Sequence, residues 1–359
     1  EYMIKYCLGI FYQEGIKIQK RIIILFMLVF LFCTVLTGQD YFEIVERFDI
    51  GPRAFHIDTH KNYATICDYD GKVTVFDIYT LESFSYSSCV RPMAGFFNGE
   101  YLYVIDNYRK EVLKLRGNTV IKRVSLGSNP VNMKTIDNKI FISAFDPDKL
   151  FVFDKNLSLI QSVDLSVKSP FLQIAGKDLY IPMRENTKDN TITTRFLFYN
   201  ATVGSYIVNY QNIRSPIDIL EYKNRLFIAS YYNGKIYENL AAGQKEVAAF
   251  GGYLINIELF NSYIVGNSLF GGVYFYDIEK KGIVRMLEDT PIVDIAVSPS
   301  NNYIFALSSI ENKLFIIKDF HVYQEIKLDD YPIDVEVPDE SVILVLSTQT
   351  GKVQVIRKF

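Results

Sequence analysis

Three aspartates, Asp218, Asp294 and Asp334, stand inside otherwise apolar runs, "SPIDILEY", "TPIVDIAV" and "YPIDVEVP", each shortly after a proline. Carboxylates gathered from separate segments can hold a divalent cation, or divide acid and base roles in a hydrolysis. His56, Asn132, Gln173 and Asn256 hold corresponding places in other segments, with Gly95 in the same region of a further one. Together these polar residues are expected to form one ring. On one reading they serve structure, accepting hydrogen bonds from backbone N–H groups near an axis. On the other they form the partly anionic mouth of a channel, whose ligand is a divalent cation or a polar molecule.

The rest of the catalytic inventory is thin. The only histidines are His56, His60 and His321. The repeat that positions these residues places His321 far from the other two, which argues against a three-histidine metal site. The chain has no Gly-x-Ser-x-Gly elbow, His-Glu-x-x-His helix or phosphate-cradling glycine loop. Asp68-Tyr69-Asp70-Gly71 and Asp146-Pro147-Asp148 match fragments of calcium loops but lack the remaining ligands, so they read as tight turns. No catalytic residue and no cofactor is therefore expected, apart from the cation that the three aspartates would hold. The net charge of −3, without any basic stretch interleaved with aromatics, argues against nucleic acid as partner.

What must position these residues is a repeat. Proline recurs at Pro52, Pro92, Pro130, Pro170, Pro216, Pro291 and Pro332, with Gly252 standing where one further proline would fall. After each comes a short strand, a polar turn, an apolar strand, a Gly/Asn/Asp-rich turn, and then a third and a fourth strand. Tyr, Phe, Val and Ile dominate these runs, which suits pleated, half-buried surfaces. Four-stranded units of about 40 residues are the mark of β-propeller blades. The register gives eight, or seven if the irregular fourth unit is not a full blade. The last unit ends one strand short, while "YFEIVERFDI" (41–50) is a strand without a unit. The two are expected to combine, so that the N-terminal strand closes the last blade. The fold class is thus all-β, a propeller over 39–359.

The stretches "GEYLYVIDNYRKEV", "GKVTVFDIYTLES", "GGVYFYDIEKKGIV" and "PIVDIAVSPSNNYIFALSS" resemble units of the YVTN-type, lactonase-like β-propeller superfamily. The nearest approach to the Tyr-Val-Thr-Asn string is Tyr103-Val104-Ile105-Asp106-Asn107, and Ser298-Pro299-Ser300-Asn301 keeps the turn. The resemblance spans 42–359 and implies a propeller. Since that superfamily includes enzymes, ligand binders and surface interaction proteins, it implies no particular activity. A quinone-dependent dehydrogenase would also be an eight-bladed exported propeller, but its blades carry a tryptophan docking pattern and this chain has no Trp.

Residues 1–38 differ in kind. Lys17, Lys20 and Arg21 precede an uncharged apolar run from Ile22 to about Leu36, the pattern of a signal peptide or uncleaved N-terminal membrane anchor. Phe32 before Cys33 argues against a lipoprotein. An extracytoplasmic propeller is the expectation: periplasmic, secreted or membrane-anchored, and touching the membrane only through this segment. Cys67 and Cys89 fall on strands that are not neighbours in the register, so two free thiols are expected.

One face of the propeller is expected to carry Tyr69, Tyr108, Phe145, Tyr231, Tyr232 and Phe270, in the loops between second and third strands. The insertion "RENTKDNTITTR" (184–195), with Arg184, Lys188 and Asp189, falls on the same face. Aromatic rims of this kind bind peptides or glycans. The expected function is therefore an exported, non-catalytic binding or scaffolding module for a protein or glycan partner, monomeric as a propeller. The alternatives are a lactonase-like or other hydrolase at the channel mouth, and a subunit of an envelope assembly.

Overall fold

In most units the second and third strands are apolar on both faces. In β3 (Tyr63–Asp68) and β4 (Val73–Asp77) almost every residue is buried, because a neighbouring sheet covers each side. The fourth strands alternate instead, as in β9 (Thr119–Ser125), since only one face meets protein. The computed structural model describes residues 40–359 except 88, 166–171, 176, 177, 187–191, 201, 202, 212, 214, 241 and 242. The expected leader, residues 1–38, lies outside the described residues, as do Lys188 and Asp189 of the insertion.

Residues 42–358 form one unit of eight four-stranded antiparallel sheets, an eight-bladed propeller. The inner strands are β2 (Ala54–His60), β6 (Pro92–Phe97), β10 (Asn129–Ile136), β14 (Gln173–Ala175), β18 (Pro216–Tyr222), β22 (Leu254–Phe260), β26 (Asp294–Val297) and β30 (Pro332–Asp339). The fourth unit is a full blade: β14 pairs with β15 (Asp178–Asn186), then come β16 (Ile192–Asn200) and β17 (Ser205–Gln211). This removes the seven-bladed alternative. Of the other unit, residues 1–41 with Phe359, the structure describes Asp40, Tyr41 and Phe359. Tyr41 and Phe359 exchange two backbone hydrogen bonds and stack their rings 5.2 Å apart. No helix of the described residues is long and apolar enough to cross a membrane.

Seven blades are built from consecutive strands. The eighth runs β30, β31 (Val342–Ser347), β32 (Lys352–Lys358) and then β1 (Phe42–Asp49), so the N-terminal strand is its outermost member. Phe42 locks this clasp: its ring is buried edge-on to Tyr303 and Phe305. Its backbone pairs with the Gln324 amide of the seventh blade, Phe42 N donating to Oε1 at 2.9 Å and Nε2 donating to Phe42 O at 2.7 Å.

Among the described residues the core between blades forms eight apolar clusters, each across one blade boundary. The cluster joining Leu346 and Val355 to Ile57 and Phe76 links the last blade to the first. Cys67 and Cys89 are free and buried, as expected, but they share one cluster rather than lying apart: the loop after the first blade folds back toward the end of β3. The repeated glycine before the third strand also has a steric reason. A Cβ on Gly272 would lie 2.2 Å from Met286 O, and one on Gly351 2.6 Å from the Gly51 backbone, and both residues have positive φ.

Candidate functional site

The polar ring begins with a backbone irregularity. In six inner strands the pairing register shifts between an apolar residue and the residue two places on: Ala54/His56, Pro92/Ala94, Pro130/Asn132, Pro216/Asp218, Leu254/Asn256 and Pro332/Asp334. Such a bulge inserts one residue and re-aims the side chains after it; where the first residue is proline, there is no N–H to pair. The register corrects the sequence alignment in detail. In the second blade the ring position is Ala94, with Gly95 one place beyond, and in the sixth the proline's place is held by Leu254 rather than Gly252.

From this position five blades, the fourth to the eighth, reach the next. Asp218 Oδ2 accepts Ile257 N at 3.0 Å, and Asp294 Oδ2 accepts Val335 N at 2.9 Å. Asp334 Oδ2 accepts Ile57 N at 2.8 Å. Asn256 Nδ2 donates to Ile295 O and to Asp294 Oδ1, both at 3.2 Å, and Gln173 Nε2 donates to Ile217 O at 3.3 Å. In the first blade His56 takes the ring position, and Asp58, two residues on, accepts Gly95 N at 3.4 Å instead. These side chains tie inner strands whose facing edges have no ladder partner, so each serves structure whatever else it does. Asn132 lies in the ring with an enclosed, unpartnered Oδ1.

Inside the ring is an axial cavity of about 570 Å³. Strand alternation puts a second tier of side chains two residues beyond the first: Asp58, Lys134, Glu258 and Glu336. The sequence reading passed over these four, although the same period-2 rule that found the ring points to them. Glu336 Oε2 accepts a hydrogen bond from Thr59 Oγ1 at 3.2 Å. Glu258 has no hydrogen-bond or ion-pair partner among the described residues.

The electrostatics come from enclosing many like charges. Burial, then repulsion from Asp218 and Glu336, pushes Glu258 up to about 8. Burial and Asp334 raise Glu336 to about 7. Burial raises Asp218 to about 6 despite the N–H bonds it accepts, and burial with the Asp334 charge raises Asp294 well above the usual carboxylate range. His56 is the counterweight. Its Nδ1 lies 2.7 Å from Asp334 Oδ2 and its Nε2 3.3 Å from Asp58 Oδ1. Burial opposes its charge, yet the two carboxylates hold its pKa well above the ordinary imidazole value, and in return His56 draws Asp58 below its own.

The other histidines lie apart. His60 lies tilted against Phe96, ring centroids 5.4 Å apart, beside a separate cavity of about 140 Å³, and His321 is exposed at the head of the outer strand β29 (His321–Lys327). Among the described residues, no group of three His, Cys, Asp or Glu side chains is placed to hold a metal ion. Asp68 caps a tight turn, accepting Asp70 N at 2.7 Å.

The loops between second and third strands share a face with the loops between blades. Tyr108 and Phe270 are 69 % and 74 % exposed there; Phe145 and Tyr232 are also exposed. Tyr69 is half-buried, stacked 4.2 Å from Phe55. Tyr231 packs against Tyr232 and Tyr253, and Tyr253 against Phe270, with ring centroids 5.0, 5.2 and 5.1 Å apart, a four-ring cluster on the fifth and sixth blades. The sequence reading missed Tyr253, Ile310 and Tyr331 on this face; Ile310 is 73 % exposed. Arg184 lies on β15.

No family model matches the chain, and no curated protein matches it. Solved structures do. The computationally designed Ika8 protein superposes with a TM-score of 0.68 at 12 % identity, over 88 % of this chain and 98 % of that one. BamB from Moraxella catarrhalis gives 0.65 at 12 %, over 88 % and 100 %. Sqt1 from Saccharomyces cerevisiae gives 0.66 at 13 %, over 87 % and 98 %. The chain has the β-propeller fold. At such identities the likeness carries the fold alone.

Proposed function

We propose that this propeller is a non-catalytic binding module that takes a protein segment on the face carrying its aromatic rim. The observation behind this reading is a continuous strip from the fifth blade to the eighth. The four-ring cluster leads to Phe270, and the next residue, Gly271, abuts the Glu288 backbone. Thr290 Oγ1 then donates to Glu311 Oε1 at 3.1 Å, beside Ile310; Asn312 Nδ2 donates to Asp330 Oδ1 at 3.2 Å and its Oδ1 accepts Tyr331 N. Large exposed apolar side chains in a row, edged by the exposed acids Glu288, Asp289, Glu311 and Asp330, suit a partner segment that is apolar and basic. Bare aromatic faces would also stack on sugars, but Ile310 and the acidic border favour a peptide.

The hydrolase alternative has its best candidate base in His56. An imidazole with both nitrogens engaged by carboxylates has none left to act as base, and the nearby Cys67 thiol is pushed well above its usual value by burial. The YVTN-like repeats are in keeping with a surface interaction protein. The basic and then apolar segment 17–36 supports export, with residues 1–38 as signal peptide or anchor.

A photo-crosslinking residue placed at Phe270 or at Ile310, with Ile283 on an outer strand as control, tests the proposal. The expected result is one partner joined at 270 and 310 but not at 283. Equal products at all three positions, or none at the rim, would overturn it.

A further inference from the structure

We propose that the axial channel binds a small organic polycation, an aliphatic diamine or triamine, through the carboxylates of its two tiers. Among the described residues, six carboxylates line the cavity against two basic side chains, His56 and Lys134. Most of these acids are already engaged, since the ring aspartates hold the inner strands together and Asp334 also grips His56. Glu258 is different. It is half-buried in the channel wall, lines the cavity and has no partner among the described residues. A carboxylate kept in such a place, with Asp218 and Glu336 repelling it, is costly to the empty channel unless something cationic answers it.

The chemistry of that cation is set by the spacing. A divalent metal needs several ligands converging on one point, and no such group is formed among the described residues. Acids spread around the walls of a cavity of about 570 Å³ instead suit a flexible chain with ammonium groups at intervals, each donating hydrogen bonds to a different strand. His56, clamped between Asp58 and Asp334, leaves the opposite wall, Glu258 and Asp218, as the anionic side.

Binding is coupled to protons. The titratable groups around the cavity are His56 and Asp58 on β2, Lys134 on β10, and Asp218 with Glu221 on β18; Glu258 stands on β22, Asp294 on β26, and Asp334 with Glu336 on β30. The inner strands β6 and β14 bring none there. An entering ammonium chain ionises acids that the empty channel keeps protonated, so affinity rises with pH and protons are released.

The test is calorimetry on the intact chain with spermidine and 1,4-diaminobutane at pH 6 and pH 8.5, with butylamine and magnesium chloride at matched ionic strength as comparators. Expected are saturable binding of both polyamines, at least tenfold tighter at pH 8.5, proton release in buffers of different ionisation enthalpy, and at least a tenfold loss in Glu258→Gln. Circular dichroism and melting of the variant show that it is folded, and Glu279→Gln, on the outer surface, is expected to bind as wild type. No heat with the polyamines, an equal response to magnesium, or unchanged affinity in Glu258→Gln would overturn the proposal.

Discussion

His56 Nδ1 and Asp334 Oδ2 lie 2.7 Å apart across the boundary between the first blade and the last. The same oxygen accepts Ile57 N, so one carboxylate joins the two blades both by charge and by backbone. This joint is the inner counterpart of the clasp made outside by β1.

The sign of its pH dependence is fixed by direction. The folded protein holds the His56 pKa above the unfolded value of about 6.5, so its contribution is complete below that pH and is lost as pH rises through the folded value. His56→Gln should therefore lower Tm most near pH 6, with the difference from wild type shrinking in alkali. A melting series across pH checks this; a constant difference would mean the imidazole contributes packing and not charge.

Glu258 has the same sign of pH dependence, but here the charged form is the one that folding disfavours, so its substitution acts at the alkaline end. Its folded pKa, near 8, is above the unfolded one, so the protonated form favours folding at low pH and that stability is lost as pH rises toward and past 8. Glu258→Gln should be nearly neutral at pH 5 and should raise Tm by about 2–5 °C at pH 9, removing part of the alkaline decline. Thermal melts without added polyamine measure it.

These two residues also show where sequence reasoning stops. Asp218, Asp294 and Asp334 were legible because a charged residue in an apolar run needs a reason. Glu258 and Glu336 were not, since an acid in the middle of a short strand ordinarily reads as solvent-facing, and only ring closure turns that face inward. Ala94 was displaced by one residue to Gly95 because the bulge after Pro92 breaks the period of two on which the alignment relied. The clasp, by contrast, was written in strand count: a last unit one strand short and an N-terminal strand without a unit can only satisfy their edges by pairing.

The clasp gives a third prediction. Phe42 is 2 % exposed and packs edge-on against Tyr303 and Phe305, so Phe42→Ala should cost about 3–5 kcal/mol. Gln324→Ala removes only the two amide hydrogen bonds to the Phe42 backbone and should cost about 1–2 kcal/mol. Chemical denaturation of both variants orders them; the reverse order would place the strength of the clasp in its polar pairing rather than its ring.

The rim should behave in the contrary way. Phe270 and Ile310 are about three-quarters exposed, so Phe270→Ser and Ile310→Ser remove little buried area and should change stability by less than about 0.5 kcal/mol. A core or blade-contact role would instead cost several times that. Once a partner segment has been identified by crosslinking, the same substitutions should weaken it by tenfold or more, with added salt weakening it further through Glu288, Asp289, Glu311 and Asp330. Large loss of binding with unchanged melting separates a surface kept apolar for a partner from one that is merely part of the fold, and titration of the partner against both variants reads that difference directly.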